Sequence, residues 1–569
     1  MSGIFKDWPV AAPITVKACG RSSKNASPSF ADGNIMHALS QSTVIGIVGA
    51  GAMGAGIAQI AAQAGHPVRL YDSSAHAAAL AVDRINLQWD KQLSKGRMSP
   101  DQRERCRRNL QHCEGRSALA EAGLIVEAIV ENLEIKQQLF RELETVCAPD
   151  CILASNTSSL SITRLATGLN RPERLIGMHF FNPAPLMPLV EIVSGLDSDP
   201  ALAACLYETA AGWGKKPVHT RSTPGFIVNR VARPFYAENL RLLQENAADY
   251  PTLDALMRES GHFKMGAFEL MDLIGHDVNY AVTCSVFEAY YGDFRFQPSL
   301  IQKELVDAGR LGRKSGRGFY DYSGNDTRGP APALPSKSTA NIESCVIEGD
   351  LGPAQPLADR LRAYGILVIE RDGPGWLRVG EATVALTDGR MACQRQREEG
   401  VNNLALFDLA YDYTTVSRLG IAFAENIQET AREQIIALFH RAGIRLSALS
   451  DTPGLAVMRT VSMLVNEAAD AVLQGVASVG DIDLAMCAGV NYPRGPLRWA
   501  DMVGLENILT VLSHLQQSYG EDRYRPSLLL RRLTLEKRNF HERYDSHGAA
   551  GDDPRPDAGE ALRRSHVCA

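Results

Sequence analysis

The chain has no excess of basic charge. Its 59 lysines and arginines stand against 65 aspartates and glutamates, a formal net charge of −6. That balance argues against nucleic acid as the main partner. It also lacks any Cys-x-x-Cys pair. The 11 cysteines are scattered and odd in number, which fits free thiols better than a disulfide framework or a zinc site, so no metal is expected. Residues 1–40 contain Ser, Ala, Pro, Gly and Lys but no hydrophobic signal core. They read as a disordered extension or an over-long start, with Met36 just ahead of the first strand. The stretch 44–65 has no charge, yet its six glycines and the strand that follows argue against a membrane span. A cytoplasmic protein with no membrane partner is expected.

What is present is ordinary in bulk and specific in detail. With 569 residues, 45% of them apolar and 22% charged, the chain is long enough for three or four globular domains. Val44-Ile-Gly-Ile-Val-Gly49-Ala-Gly51-Ala-Met-Gly54 is an apolar strand running into a Gly-x-Gly-x-x-Gly turn, followed by an alanine-rich helix that ends at Gly65. Gly49 permits the tight turn, Gly51 lets the backbone approach a pyrophosphate, and Gly54 allows close helix–strand packing. The helix N-terminus then offers free N–H groups to phosphates. A second strand, Pro67–Asp72, ends in an acid 21 positions after Gly51, the spacing of a ribose-diol acceptor. The charge of Asp72 favours NAD over NADP.

The run Gly177-Met-His-Phe-Phe-Asn-Pro-Ala-Pro-Leu-Met-Pro-Leu-Val-Glu191 places His179, Asn182 and Glu191 close together with three prolines between Asn182 and Leu189. Histidine is the usual proton acceptor near neutral pH. A carboxylate on its second nitrogen would fix its tautomer, and the prolines make the run a rigid extended turn.

Four words in order carry a resemblance: Glu127–Lys136, Ala154–Thr163, Gly177–Pro183 and Thr223–Arg230. Over about residues 42–322 the chain resembles the two-domain (S)-specific 3-hydroxyacyl-CoA dehydrogenases. Ser222–Pro234 and Asp272–Phe287 resemble the long, phenylacetate-pathway type within that family, which acts on 3-hydroxyadipyl-CoA. The resemblance implies that His179 is the general base and that Glu191 holds its imidazole. It implies that Ser158 and Asn229 hydrogen-bond the substrate oxygen at C3. Glu131, Lys136, Ser158 and Asn182 match positions near the nicotinamide half of NAD, and Lys314 matches a lysine that reaches the cofactor from the second domain. The basic stretch 91–116, with Lys91, Lys95, Arg97, Arg103, Arg105, Arg107 and Arg108, falls where the family meets the CoA phosphates on a helical hairpin.

Much of the remaining length is a repeat. Thr223-Pro-Gly225 recurs as Thr452-Pro-Gly454, and at the same offset Arg230 meets Arg459, Glu238 meets Glu467, Asp254 meets Asp483 and Gly275 meets Gly504. Asn229 meets Met458, which has no amide to offer. The expected fold is a Rossmann-type α/β domain over 41–222 and an all-α helical domain over 223–322. A linker and small α/β segment, read as a decayed dinucleotide domain, follow over 323–450. A second, non-catalytic helical copy spans 451–540 and a mobile tail 541–569. Two assemblies fit this pattern: a homodimer, or an intrachain pseudo-dimer in which the second copy replaces a partner's domain.

The expected activity is NAD-dependent oxidation of an (S)-3-hydroxyacyl-CoA thioester, 3-hydroxyadipyl-CoA ahead of 3-hydroxybutyryl-CoA. The free carboxylate of the former needs a basic or polar partner, for which Arg230 and Arg233 are candidates. A gulonate-type dehydrogenase of CoA-free hydroxy acids and an NAD-binding protein without turnover are the competing classes.

Overall fold

The computed structural model describes residues 37–324, 331–335 and 342–545. The readings made of residues 1–36, of most of the 323–340 linker and of 546–569 lie outside them.

Apolar runs build the first sheet. Its strands are β1 (Val44–Val48), β2 (Val68–Tyr71), β3 (Leu110–Cys113), β4 (Ala122–Glu127), β5 (Ile152–Ser155), β6 (Leu175–Phe180), β7 (Leu189–Ser194) and β8 (Lys216–Arg221). They lie in the order β3-β2-β1-β4-β5-β6-β7-β8, and only the β6–β7 pairing is antiparallel. Ile45, Ile47, Leu124, Ile125 and Val126 are fully buried. Near-continuous apolar strands are what a sheet covered on both faces requires. The chain order reverses between β1 and β4, which opens a crevice beyond their carboxyl ends.

The segment expected to be a small α/β unit is larger than that. It is a seven-stranded mixed sheet of β9 (Ser344–Glu348), β10 (Leu367–Arg371), β11 (Trp376–Val379), β12 (Ala382–Leu386), β13 (Leu404–Phe407), β14 (Arg418–Phe423) and β15 (Arg445–Ala448), in the order β10-β9-β11-β12-β13-β14-β15. Its last strands pair parallel, antiparallel and parallel, as β5–β6, β6–β7 and β7–β8 do. The spacing matches as well: β6 and β13, β7 and β14, helices Pro200–Gly212 and Glu429–Arg441, and β8 and β15 each begin 229 residues apart (Leu175 against Leu404). That is the offset between the two Thr-Pro-Gly turns, so the correspondence extends upstream of the helices into the strands.

The helical regions follow the same offset. Tyr250–Glu259, Ala267–Ile274 and His276–Ala289 begin 229 residues before Val479–Val490, Pro496–Val503 and Leu505–Tyr519. One difference has a direct cause. Helices Val228–Val231 and Arg233–Gln244 are separate, whereas Val457–Leu473 runs unbroken. Pro234 has no N–H to donate and Met463, at the matching place, does.

The two helical regions share one core, in which Phe235 and Phe263 join Val461, Leu464 and Trp499. Two buried ion pairs cross between them. Arg230 Nε lies 2.6 Å from Glu467 Oε1 and Arg459 Nε 2.7 Å from Glu238 Oε2. Because Arg230 corresponds to Arg459 and Glu238 to Glu467, each region gives the other what it receives, as in a two-fold interface. Arg295 adds a second contact to Glu467 at 3.2 Å, and Tyr524, at the matching position, adds one to Glu238 at 2.9 Å.

The ends of the described chain are tied down further than expected. The Leu39 N–H donates to Thr209 Oγ1 at 2.9 Å. Phe540–Asp545 forms a short helix, with His541 Nδ1 2.6 Å from Asp501 Oδ2. Residues 37–40 and 541–545, assigned above to the extension and the tail, therefore belong to the fold. Among the described residues no helix is long and apolar enough to cross a membrane.

Removing one partner of a buried pair leaves the other charge without compensation, at a cost of about 3–5 kcal/mol. Arg459→Met is expected to lose stability of that order in urea denaturation, and Arg459→Met with Glu238→Leu to regain much of it. Additive losses in the double variant would show that the pair is not coupled.

Candidate functional site

The glycine turn at the end of β1 is shaped by contact. Gly49 sits at φ +107°, where a Cβ would lie 2.5 Å from the Ala128 carbonyl oxygen. A Cβ on Gly54 would lie 1.8 Å from the Gly49 oxygen, so the helix Ala52–Gln63 can start this close to the turn only with glycine there. Gly51 differs, since a Cβ would meet nothing within 4 Å. That open side, at a helix N-terminus with no side-chain cap, fits a dinucleotide pyrophosphate. Asp72 closes the turn from β2. Its Oδ2 accepts from the Ala50 N–H at 2.7 Å and its Oδ1 from the Ser74 N–H at 2.9 Å.

The antiparallel β6–β7 register places His179 opposite Glu191. His179 Nδ1 lies 2.6 Å from Glu191 Oε2. The imidazole is 6% exposed, its ring centroid 4.5 Å from that of Phe181 and 5.9 Å from that of Phe226. Glu191 Oε1 accepts from the Ile227 and Val228 N–H groups, both at 3.0 Å. These groups start the helix that carries Asn229. The proline turn after His179 packs on the dinucleotide helix, where a Cβ on Gly56 would lie 3.0 Å from Pro185 Cδ. Asn182 precedes a cis Pro183 and is exposed. The amide that braces this strand belongs to Asn156, whose Oδ1 accepts from the Phe180 N–H at 2.8 Å.

Asn229 Nδ2 donates to the Ser158 carbonyl at 3.4 Å. The two residues line a cleft of about 230 Å³ with Gly225, Val282, Ser285 and Val286. Behind Ser158 lies a polar network that the sequence reading only half identified. Lys136 is 1% exposed and bridges Glu127 Oε1 at 2.5 Å and Glu131 Oε2 at 3.2 Å. Ser155 Oγ donates to Glu127 Oε2 at 2.7 Å. Thr157 Oγ1, Ser159 Oγ and the Ser158 N–H all donate to Glu131 Oε1. Burial raises the Glu131 carboxyl, but the Lys136 charge and these hydroxyls outweigh it and hold the group below its usual range. Glu127, Ser155 and Thr157 were missed although Glu127 opens the word Glu127–Lys136. Its position as the last residue of β4, at the crevice, was the available signal.

The other candidates are placed less centrally. Lys314 pairs with Asp277. Arg230 is spent on Glu467. Helices Ala75–Ser94 and Pro100–Asn109 do form a hairpin, and the seven basic residues named above are exposed except Arg103, which is partly buried and lies 2.8 Å from Asp90.

The matching place in the second half is built differently. Asp408 lies at the His179 offset and Gly420 at that of Glu191. Asp408 Oδ2 accepts from the Ala456 and Val457 N–H groups at 3.0 and 2.8 Å, and Oδ1 from the Met458 N–H at 2.9 Å. A Cβ on Gly420 would lie 3.2 Å from Asp408 Oδ2. A carboxylate from the histidine's strand thus holds the helix that Glu191 holds in the first half. Met458, in place of Asn229, is buried at 1% exposure.

Comparison with known proteins agrees with this division. Residues 44–223 match the 3-hydroxyacyl-CoA dehydrogenase NAD binding domain. Residues 225–322 and 454–543 both match that family's C-terminal domain. Residues 384–453 match the 3-hydroxybutyryl-CoA dehydrogenase reduced Rossmann-fold domain. The chain is 41% identical over 491 residues to the 3-hydroxyadipyl-CoA dehydrogenase of Escherichia coli K12, covering 86% of this chain and 97% of that one. It is 40% identical to the 3-hydroxybutyryl-CoA dehydrogenase of Bradyrhizobium diazoefficiens, covering 49% of this chain and 95% of the relative. A crystal structure described as 3-hydroxybutyryl-CoA dehydrogenase from Escherichia coli K12 superimposes with a TM-score of 0.79 at 41% identity, over 87% of this chain and 98% of the other. The chain belongs to the 3-hydroxyacyl-CoA dehydrogenase family, NAD-dependent oxidoreductases.

Proposed function

We propose that the chain oxidises the 3-hydroxyl of an (S)-3-hydroxyacyl-CoA at one site, between the first sheet and the first helical region, with His179 as the proton acceptor. The observation that carries this reading is the 2.6 Å contact of His179 Nδ1 with Glu191, which leaves Nε2 with no hydrogen bond among the described residues. Nε2 takes the hydroxyl proton. Glu191 orients the ring and stabilises it once protonated. Ser158 and Asn229 hydrogen-bond the oxygen at C3. NAD, when bound, accepts the hydride from C3. The open turn at Gly51 receives its pyrophosphate, Asp72 its ribose diol, and Glu131, Lys136 and Asn182 border its nicotinamide half. Lys314 approaches from the helical side, and the basic hairpin draws the CoA phosphates.

For the acyl group we favour 3-hydroxyadipyl-CoA. The relative of that name spans both helical regions, whereas the short 3-hydroxybutyryl-CoA dehydrogenases match about half of the chain. The shorter acyl group is the alternative, in keeping with the description of the long solved structure. The second helical region does the work of a partner's domain, making an intrachain pseudo-dimer. The crosswise pairs Arg230–Glu467 and Arg459–Glu238 support this.

Three outcomes test the proposal. His179→Gln is expected to keep NAD affinity and lose about 10²–10⁴-fold in kcat, followed by absorbance of NADH; near-normal turnover removes the base assignment. Asp72→Ala is expected to weaken NAD and narrow the NAD/NADP preference about tenfold, and an unchanged ratio contradicts the ribose contact. Sedimentation is expected to give a species of one chain's mass at micromolar concentration. A stable dimer would mean that the second helical region has not displaced a partner.

A further inference from the structure

The first helical region borders a second cavity, of about 150 Å³, on which Arg233, Arg241 and Arg523 converge with Gln297, Ser299 and Gln302. Arg233 is 5% exposed. Its Nε donates to the Asn229 carbonyl at 2.8 Å and its Nη1 to Thr283 Oγ1 at 3.0 Å. Among the described residues no carboxylate pairs with it. Arg523 is 2% exposed. It donates to Gln297 Oε1 at 3.2 Å, while its Nε makes no hydrogen bond. Glu521 lies 3.3 Å from that Nε and is shared with Arg241 at 2.9 Å. The nearby Glu238 is held by Arg459. Ser299 opens the helix Leu300–Asp307 without capping it, and its buried Oγ has no partner. Three guanidinium groups, an idle hydroxyl and an uncapped helix start therefore meet at one cavity, and among the described residues no carboxylate lines it. Burial disfavours the charge of both Arg233 and Arg523, and an anion among them would offset that cost.

We infer that this cavity binds an oxyanion, a carboxylate or phosphate group held by Arg233, Arg523 and the start of helix Leu300–Asp307. It adjoins the substrate cleft through two contacts. Arg233 holds the carbonyl of Asn229, and Thr283 stands on the helix whose Val282, Ser285 and Val286 line that cleft. The group has two sources, the distal carboxylate of a dicarboxylic acyl chain or a free small anion.

The test is thermal unfolding of the full chain at constant ionic strength, with phosphate or adipate replacing chloride. A saturable rise in Tm is expected for the unaltered protein. Ser299→Asp sets a carboxylate at the cap position, and is expected to raise Tm in chloride and abolish the further response. Arg523→Gln is expected to lose the response as well. No saturable rise in the unaltered protein, or the same rise in both variants, overturns the site. Steady-state kinetics separates the sources. A KM for 3-hydroxyadipyl-CoA raised about tenfold in Ser299→Asp, with that for 3-hydroxybutyryl-CoA unchanged, assigns the site to the substrate's own carboxylate. Unchanged KM for both assigns it to a free anion. The kinetic arm rests on the dehydrogenase reading and the thermal arm does not, so the two fail separately.

Discussion

The Glu191 carboxylate joins the parts of the site. One oxygen fixes His179 on the neighbouring strand, and the other accepts two N–H groups at the start of the helix that carries Asn229. A helix start leaves backbone donors that must be satisfied somewhere. Here the acceptor comes from a β-strand of the dinucleotide domain. The same atoms that orient a histidine therefore set how the helical region meets the sheet. Asn229 in turn reaches the Ser158 loop, which Glu131 and Lys136 brace from below. Moving Glu191 by one strand residue would turn its side chain to the other face of the sheet and release both contacts at once.

The second half solves the helix-start problem without the histidine. Asp408 reaches the Ala456–Met458 N–H groups from the strand position of His179, and the space of the Glu191 side chain is left to Gly420. A shorter acid suffices because no imidazole stands between it and the helix. Burial pushes the Asp408 carboxyl up to about 6, against the four N–H groups that favour its charge. The group is placed to hold a helix in the fold, with no ring for it to orient.

The first sheet was readable because its signals are local. Gly49, Gly51, Gly54 and Asp72 each have a steric or electrostatic reason that acts within a few residues, and His179, Pro183 and Glu191 lie in one short run. The helical repeat was readable because Arg230, Glu238 and Asp254 recur where buried charge must be met. The strand part of the repeat was not. Between 175 and 222 the offset preserves Leu175, Ile192 and Gly214 and little else. What is kept there is where strands start and how they pair, and many apolar residues serve that equally. Glu127 and Ser155 were missed for another reason: Glu127 is read through its contact with Lys136, and Ser155 through its hydrogen bond to Glu127, which no spacing along the chain displays. The exposure of Asn182 and the pairing of Lys314 with Asp277 likewise follow only from three-dimensional placement.

The two halves differ in a consistent direction. Where the first has His179, Glu191, Asn229 and Pro234, the second has Asp408, Gly420, Met458 and Met463. Three of these changes replace a residue of the proposed site, and the fourth removes a helix break. Met458 enters the common core, and the helix from Val457 to Leu473 runs without interruption across Arg233–Gln244. A buried methionine adds apolar contact where an asparagine would need a partner. Among the residues kept across the offset, Arg230 and Arg459, Glu238 and Glu467 face the other half. An interface in which each arginine needs the opposite glutamate cannot be relaxed on one side alone, because a single loss leaves a buried charge. The second half thus differs from the first at these four positions while it keeps the charged contacts that join the two.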